Sequence, residues 1–317
     1  MKKQYVLGLD MGGTNSVLGV VDKEGKVVAR ASIKTQQYPE INDYVDALYH
    51  EAEQLVAPLG GFAAIRGIGA GVPNGNYYTG MIDGAMNLPW PHVPFAKLMS
   101  DRFGIPCTIT NDANAAAMGE MIYGAAKGMK NFIMITLGTG VGSGIVIDGK
   151  VVYGHDGFAG ELGHTIAVRG ENARQCNCGR KGCLETYCSA TGVARTAKEI
   201  VSSSTSATSL RSLDIDHITS YDVFKAAEAG DEVAKQIFDF TGTLLGQSLA
   251  DFIAFSAPEA IFLFGGLTKS GHWIMEPIVK AMNENVLSLW QNKVKVQFSA
   301  LNEADAAVLG ASALAWE

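Results

Sequence analysis

No stretch of these 317 residues is apolar for long enough to cross a bilayer. The start, M-K-K-Q-Y-V-L-G-L-D, carries two lysines but no continuous apolar segment of the secretion-signal kind. The expectation is a cytoplasmic protein with no membrane partner. Basic charge is also scarce, with 25 Lys and Arg against 32 Asp and Glu and a formal net charge of -7. Binding a phosphate backbone needs a surplus of Lys and Arg, so nucleic acid is not expected as the main partner, although a local pocket for one anion is compatible with this balance. Cysteines are few and odd in number: Cys107, Cys176, Cys178, Cys183 and Cys188. An odd set in a reducing compartment disfavours a disulfide framework, and C-x-x-C, the usual redox spacing, is absent.

Glycine, by contrast, is abundant: 37 of 317 residues, about 12% against a typical ~7%. Such an excess serves tight turns or backbone held close to a ligand. Hydrophobic residues at 47% and charged residues at 18% are ordinary for a globular enzyme with a real core. The length fits one large or two medium domains.

Patterning predicts strands over Tyr5 to Asp10, Val17 to Asp22 and Lys26 to Ile33, then a helix over 41–57 on apolar Ile41, Tyr44, Val45, Leu48, Leu55 and Val56. Strands follow at Ile65 to Val72 and Cys107 to Thr110, separated by a Gly/Pro/Asn-rich loop reaching Val93 and a helix ending near Phe103. A further helix is expected over Asn114 to Tyr123. The pattern then restarts: F-I-M-I-T-L-G-T-G-V-G-S-G-I-V-I-D-G-K-V-V at 132–152 echoes residues 5–28, and both copies end in G-K-V-V. A repeated strand-turn-strand unit predicts two similar α/β halves facing a cleft, the usual place for a ligand. Residues 201–216, rich in Ser and Thr, read as a surface loop or helix edge. Helices at Tyr221 to Ala229, Asp231 to Phe255 and Ile274 to Leu289 surround a strand at Ala260 to Phe264, and a closing helix spans Glu303 to Ala315.

The first turn, Asp10-Met11-Gly12-Gly13-Thr14-Asn15, leads from strand to strand. That excludes the Rossmann and P-loop fingerprints, which need a helix after the glycines. Such a hairpin instead exposes backbone N–H groups, with Thr14 and Asn15 adding side-chain donors for a phosphate. Asp10, at a strand end, is placed to hold hydrated Mg²⁺. The second turn, Leu137-Gly138-Thr139-Gly140-Val141-Gly142-Ser143-Gly144, packs four glycines and two hydroxyls into eight residues, more than chain reversal needs. Two such loops facing one cleft fit a nucleoside triphosphate.

Cys176-x-Cys178 with Cys183 places three soft ligands on a loop bearing Gly179 and Gly182. His164, in Glu161-Leu162-Gly163-His164, is the nearest histidine to complete a tetrahedron, so a zinc site is expected. With four protein ligands it would be structural. Glu161 and Glu185 flank the metal ligands and can accept hydrogen bonds from hydroxyls, although most glutamates are solvated surface acids. Cys107 and Cys188 read as small buried residues. At Asn111-Asp112-Ala113-Asn114 a strand end meets a helix start. Taken by itself, Asp112 reads as an N-cap.

In order, D-M-G-G-T-N, N-D-A-N-A-A-A, L-G-T-G-V-G-S-G, E-L-G-H and C-N-C-G-R-K-G-C-L-E resemble the ROK family of sugar kinases and repressors across essentially the whole chain, nearest to its bacterial glucokinases. The resemblance implies the actin-like, ribonuclease-H-like ATPase fold, with two α/β domains and a central cleft. The domains are placed at 1–115 and 116–302, with the C-terminal helix, about 303–317, packing back on the first. It makes Asp112 the general base, Asn87, Asn111, Asp112, Glu161, His164 and Glu185 the hexose contacts, and His164, Cys176, Cys178 and Cys183 the zinc ligands. Asp10, Gly12, Gly13, Thr14, Asn15, Gly138, Thr139, Gly140 and Gly142 would face ATP and Mg²⁺, with Gly265 and Gly266 on the adenosine side. Ser143 and Asn74 stand where many members have glycine.

The activity implied is ATP-dependent phosphorylation of glucose at its 6-hydroxyl, with domain closure excluding water. Mannose, fructose, allose and the N-acetylhexosamines (GlcNAc, ManNAc) are alternative acceptors, and another nucleotide or polyphosphate an alternative donor. A homodimer is the expected assembly. The competing class is a sugar-sensing repressor; those carry a preceding helix-turn-helix, for which a first strand beginning near Gln4 leaves no room. A zinc-dependent nucleic-acid module would leave the paired glycine hairpins unexplained.

Overall fold

The computed structural model describes residues 3–85, 87–302 and 305–316. In chain order the elements are β1 (Tyr5–Met11), β2 (Asn15–Asp22), β3 (Val27–Lys34), α1 (Ile41–Val56), β4 (Ile65–Gly71), β5 (Ile82–Asp83), β6 (His92–Val93), α2 (Phe95–Phe103), β7 (Cys107–Thr110), α3 (Asp112–Tyr123), β8 (Phe132–Leu137), β9 (Val141–Ile147), β10 (Lys150–Val151), α4 (Glu185–Cys188), α5 (Ala190–Ser203), α6 (Ser220–Glu228), α7 (Glu232–Ser256), β11 (Ala260–Phe264), α8 (His272–Asn285), β12 (Lys295–Phe298) and α9 (Ala306–Ala313). The chain divides into two compact units. One takes Met1–Met129, Gly144–Gly160 and Ser299–Glu317, and the other Lys130–Ser143 and Glu161–Phe298.

The first sheet has the order β3-β2-β1-β4-β7, with β1, β2 and β3 antiparallel and β4 and β7 parallel to β1. The second has the order β10-β9-β8-β11-β12, again a hairpin ribbon followed by two parallel strands. The repeat seen in the sequence is therefore a repeat of topology, and each glycine turn joins the two central strands of its hairpin.

In the first unit β1 is buried on both faces, and Leu7 and Leu9 are fully covered. Helix α1 covers one side through Tyr44, Val45 and Leu48, part of the same core, each fully buried large side chain contributing roughly 2 kcal/mol. Helix α9 packs on β1, β4 and α3. It comes so close that a Cβ on Gly8 would lie 2.3 Å from the Val308 carbonyl oxygen, and one on Gly69 1.9 Å from that of Ala311. Only glycine permits that approach.

The core of the second unit surrounds β8 and β11, with Ile133, Ile135 and Leu263 against Val193 of α5, Leu245 of α7 and Ile278 of α8. Helix α8 stops at Asn285, short of the expected Leu289. The amides of Asn283 and Asn285 donate to the carbonyls of Val279 and Ala281, side-chain bonding that competes with continuation of the helix. The closing helix is described from Ala306; the expected start, Glu303, lies outside the described residues. Among the described residues no helix is long and apolar enough to cross a membrane.

Candidate active site and metal cluster

In the first unit the β1–β2 turn is held from inside. The Gly12 N–H donates to the Asn15 carbonyl at 3.0 Å, and its own carbonyl accepts the Thr35 hydroxyl at 2.8 Å. Thr35 in turn accepts from Ser16 at 2.8 Å, and Ser16 from the Tyr44 hydroxyl at 2.6 Å. Ser16, Thr35 and Tyr44 are fully buried. Both polar groups of Gly12 therefore serve the shape of the turn. Gly13 lies against Asn87, whose Nδ2 and carbonyl oxygen would each sit 3.1 Å from a Cβ there. Isolated hydroxyls carry no spacing signature, so the hydroxyls of Ser16, Thr35 and Tyr44 leave no mark in the sequence.

The residue that caps α3 is Asn111, whose side-chain oxygen accepts the Asn114 N–H at 2.7 Å. Asp112 is the first helical residue and accepts the neighbouring Ala113 N–H, at 2.9 Å. The capping role that the isolated sequence gave Asp112 thus falls to its neighbour. Asp112 keeps solvent-exposed surface, but the protein around it desolvates the carboxylate and raises its pKa, with the Ala113 N–H opposing. Asp10 pairs with Gly71 across β1 and β4, and a Cβ on Gly71 would lie 3.7 Å from the Asp112 Cα. Burial first, then the negative charge of Asp112, pushes Asp10 up to about 6. Two carboxylates in mutual repulsion suit a divalent cation, which would relieve it.

Asn74 has φ +50 and donates to the Asp83 carbonyl at 3.2 Å. Left-handed backbone is what glycine provides and asparagine tolerates best among side-chain-bearing residues, so the departure here is conformational.

In the second unit the ligand atoms of His164, Cys176, Cys178 and Cys183 all lie within 4.8 Å of one another. Cys178 and Cys183 sulfurs are 3.5 Å apart, and Cys176 Sγ is 3.7 Å from His164 Nδ1. Tetrahedral zinc with bonds of about 2.0–2.3 Å needs ligand separations of roughly 3.5–3.8 Å; these two separations match, and the donor set of one imidazole and three thiols is compatible with such an ion. The Arg180 backbone N–H holds the Cys178 thiol down at about 6, while burial pushes Cys176 and Cys183 up. Gly182, with φ +84, passes so close to Val168 that a Cβ would lie 1.9 Å from its carbonyl oxygen. Cys188 is buried, its thiol directed at the Thr241 carbonyl at 3.5 Å; Cys107 is only half-buried on β7.

The second glycine turn shares the first turn's economy: the Gly138 N–H donates to the Gly140 carbonyl at 3.1 Å. Ser143 is buried, and its hydroxyl accepts the Leu162 N–H at 3.1 Å, so this departure ties the turn to the E-L-G-H loop. Glu185 Oε2 accepts the Val141 N–H at 3.0 Å. Glu161 begins the loop at its exposed edge. Gly265, with φ +105, abuts the same turn, since a Cβ there would be 2.7 Å from the Leu137 carbonyl oxygen. Helix α5, unread in the sequence, docks its start on the turn: Ala190 N–H donates to the Gly138 carbonyl at 2.8 Å, and the Thr191 hydroxyl donates to that of Thr139. Ser189 caps α5, and that cap before Val193, Ala197 and Val201 was the available signal. A cavity of about 790 Å³ opens here, lined by Thr139, Gly140, Ser189, Thr191, Arg195 and Lys198 among others.

The duplicated five-stranded sheets, each with a glycine turn in its central hairpin, define the actin-like ATPase fold. The ROK family profile matches residues 6–317, and the chain belongs to the ROK family. It is 36% identical over 318 residues to a glucokinase of Halalkalibacterium halodurans, covering 98% of this chain and 94% of that one. A ROK family glucokinase from Streptomyces griseus, solved with glucose and AMPPNP, is 32% identical with a TM-score of 0.76 and 98% of each chain covered. A xylose repressor of Caldicellulosiruptor bescii is 30% identical over 79% of this chain and 62% of its own length. With these relatives and this fold, the protein is a sugar kinase.

Proposed function

We propose that the protein transfers the γ-phosphoryl group of ATP to the 6-hydroxyl of a hexose, most readily glucose. The observation that carries this reading is Asp112: Asn111 does the capping, leaving a desolvated carboxylate of raised pKa at the start of α3. In the proposed step Asp112 takes the proton of the sugar hydroxyl as that oxygen attacks the γ-phosphorus. The bond from the γ-phosphorus to the β,γ-bridging oxygen breaks, and ADP leaves. Asn87, Asn111, Glu161, His164 and Glu185 are the proposed hydrogen-bonding partners of the hexose.

Asp10 is the proposed holder of Mg²⁺, an ion that neutralises phosphate charge when bound. The glycine turns cradle phosphates, and the cavity beside Thr139 and α5 offers room for the nucleoside, with Gly265 and Gly266 at its strand end. Arg195 and Lys198 put cationic groups on its wall. His164, Cys176, Cys178 and Cys183 would hold a structural zinc with no open position. Glucose as the acceptor is supported by the glucokinase relatives.

A sugar-sensing regulator is the second reading, favoured by the repressor relative. The test is ADP release by zinc-replete protein with Mg-ATP over a panel of hexoses and N-acetylhexosamines, with a sugar-free control. Glucose-stimulated release is expected. Sugar binding without release from any member of the panel would favour the regulator.

A further inference from the structure

We infer that the His/Cys cluster positions the second glycine turn as well as the loops that carry it, so that metal occupancy is felt at the nucleotide. This rests on reading that turn as a nucleotide-phosphate loop. Two chain segments leave the cluster and both end on Val141–Ser143. From His164, the two preceding residues reach the turn: the Leu162 N–H donates to the buried Ser143 hydroxyl at 3.1 Å. Gly163 packs so tightly that a Cβ would lie 1.9 Å from the Val141 carbonyl oxygen.

From Cys183, two residues on, Glu185 accepts the Val141 N–H at 3.0 Å, and its other oxygen lies 3.9 Å from Cys176 Sγ. A Cβ on Gly140 would stand 2.2 Å from Glu185 Oε2, so the carboxylate is seated against the turn itself. Val141 is thus bonded at its N–H by one cluster segment and closely packed at its carbonyl by the other. The segments also meet at Leu184 N–H to Thr165 carbonyl, 2.9 Å, so removing the metal loosens their relative placement without disconnecting them. Leu162, Gly163, Ser143 and Glu185 are positioning residues in this arrangement.

The test compares zinc-replete protein, metal-stripped protein and zinc-replete Ser143→Ala. Each is titrated with Mg-ADP in the absence of sugar, and hydrogen exchange is followed over residues 137–145. Stripping is expected to weaken Mg-ADP about tenfold, the scale on which supporting contacts act at metal sites, and to accelerate exchange over 137–145. Ser143→Ala should weaken Mg-ADP about fivefold, the worth of one hydrogen bond, with zinc content and helical signal unchanged. Unchanged exchange over 137–145 in the stripped protein, together with unchanged Mg-ADP affinity in both altered forms, would overturn the coupling. If the zinc-replete protein binds no Mg-ADP, the reading of the turn as a nucleotide-phosphate loop fails, and the exchange comparison alone decides whether the cluster controls the turn.

Discussion

Glu185 Oε2 and the Val141 N–H are 3.0 Å apart, so a carboxylate assigned by resemblance to the sugar is bonded to the turn assigned to phosphate. Glu185→Gln keeps an acceptor oxygen of similar reach, whereas Glu185→Ala removes it. The Gln variant is expected to raise the hexose KM with little change for Mg-ATP. The Ala variant should raise both by about tenfold, the cost of a charge-assisted hydrogen bond. Steady-state kinetics with each substrate varied would separate them, and an Ala variant with wild-type KM for Mg-ATP would refute the link.

Asp112→Asn is expected to lower kcat by ~10² or more while hexose affinity stays close to wild type and the melting temperature is not lowered. The helix keeps its cap because Asn111, not Asp112, supplies it. Near wild-type turnover would remove Asp112 from the mechanism.

Asn111 caps α3, and the proposed function gives it a second, separable role at the hexose. Asn111→Ser preserves a capping oxygen and is expected to retain stability while weakening the hexose. Asn111→Ala should lose both, with the cap costing about 1 kcal/mol. Equal denaturant midpoints for the two variants would show that the cap contributes nothing to stability.

For Asp10 the pH dependence has two signs. With its pKa raised to about 6, the carboxylate takes up a proton as pH falls through 6, so Mg-ATP KM should rise below that pH. Stability runs the other way. The folded state holds the proton more tightly than the unfolded chain, so stability declines as pH rises from about 4 to 6 and stays lower above. Asp10→Asn should therefore melt higher than wild type at pH 8 without added Mg²⁺, the difference shrinking towards pH 4, while losing activity. A variant that melts below wild type at pH 8 would contradict the upward push that burial and, after it, the charge of Asp112 exert on Asp10.

Much of this was legible in order and spacing. The paired strand-turn-strand pattern foretold two sheets of one topology, and the C-x-C, Cys183 and His164 spacing foretold a cluster whose ligand atoms do converge. What escaped lies in contacts that leave no periodic mark. Helix α5 begins at a single serine cap, β12 is four residues on a sheet edge, and the hydroxyl chain from Tyr44 to Gly12 joins residues remote in sequence. Asp112 shows the limit most clearly. An acid at a helix start reads as a cap, and only coordinates distinguish it from the asparagine one residue earlier.

Transfer to the 6-hydroxyl is checked by identifying the product of the zinc-replete protein with glucose and Mg-ATP by ³¹P and ¹³C NMR. Phosphate on the oxygen of carbon 6, formed in one-to-one ratio with ADP, is the predicted result. Phosphorylation at another carbon, or ADP accompanied only by inorganic phosphate, would contradict it.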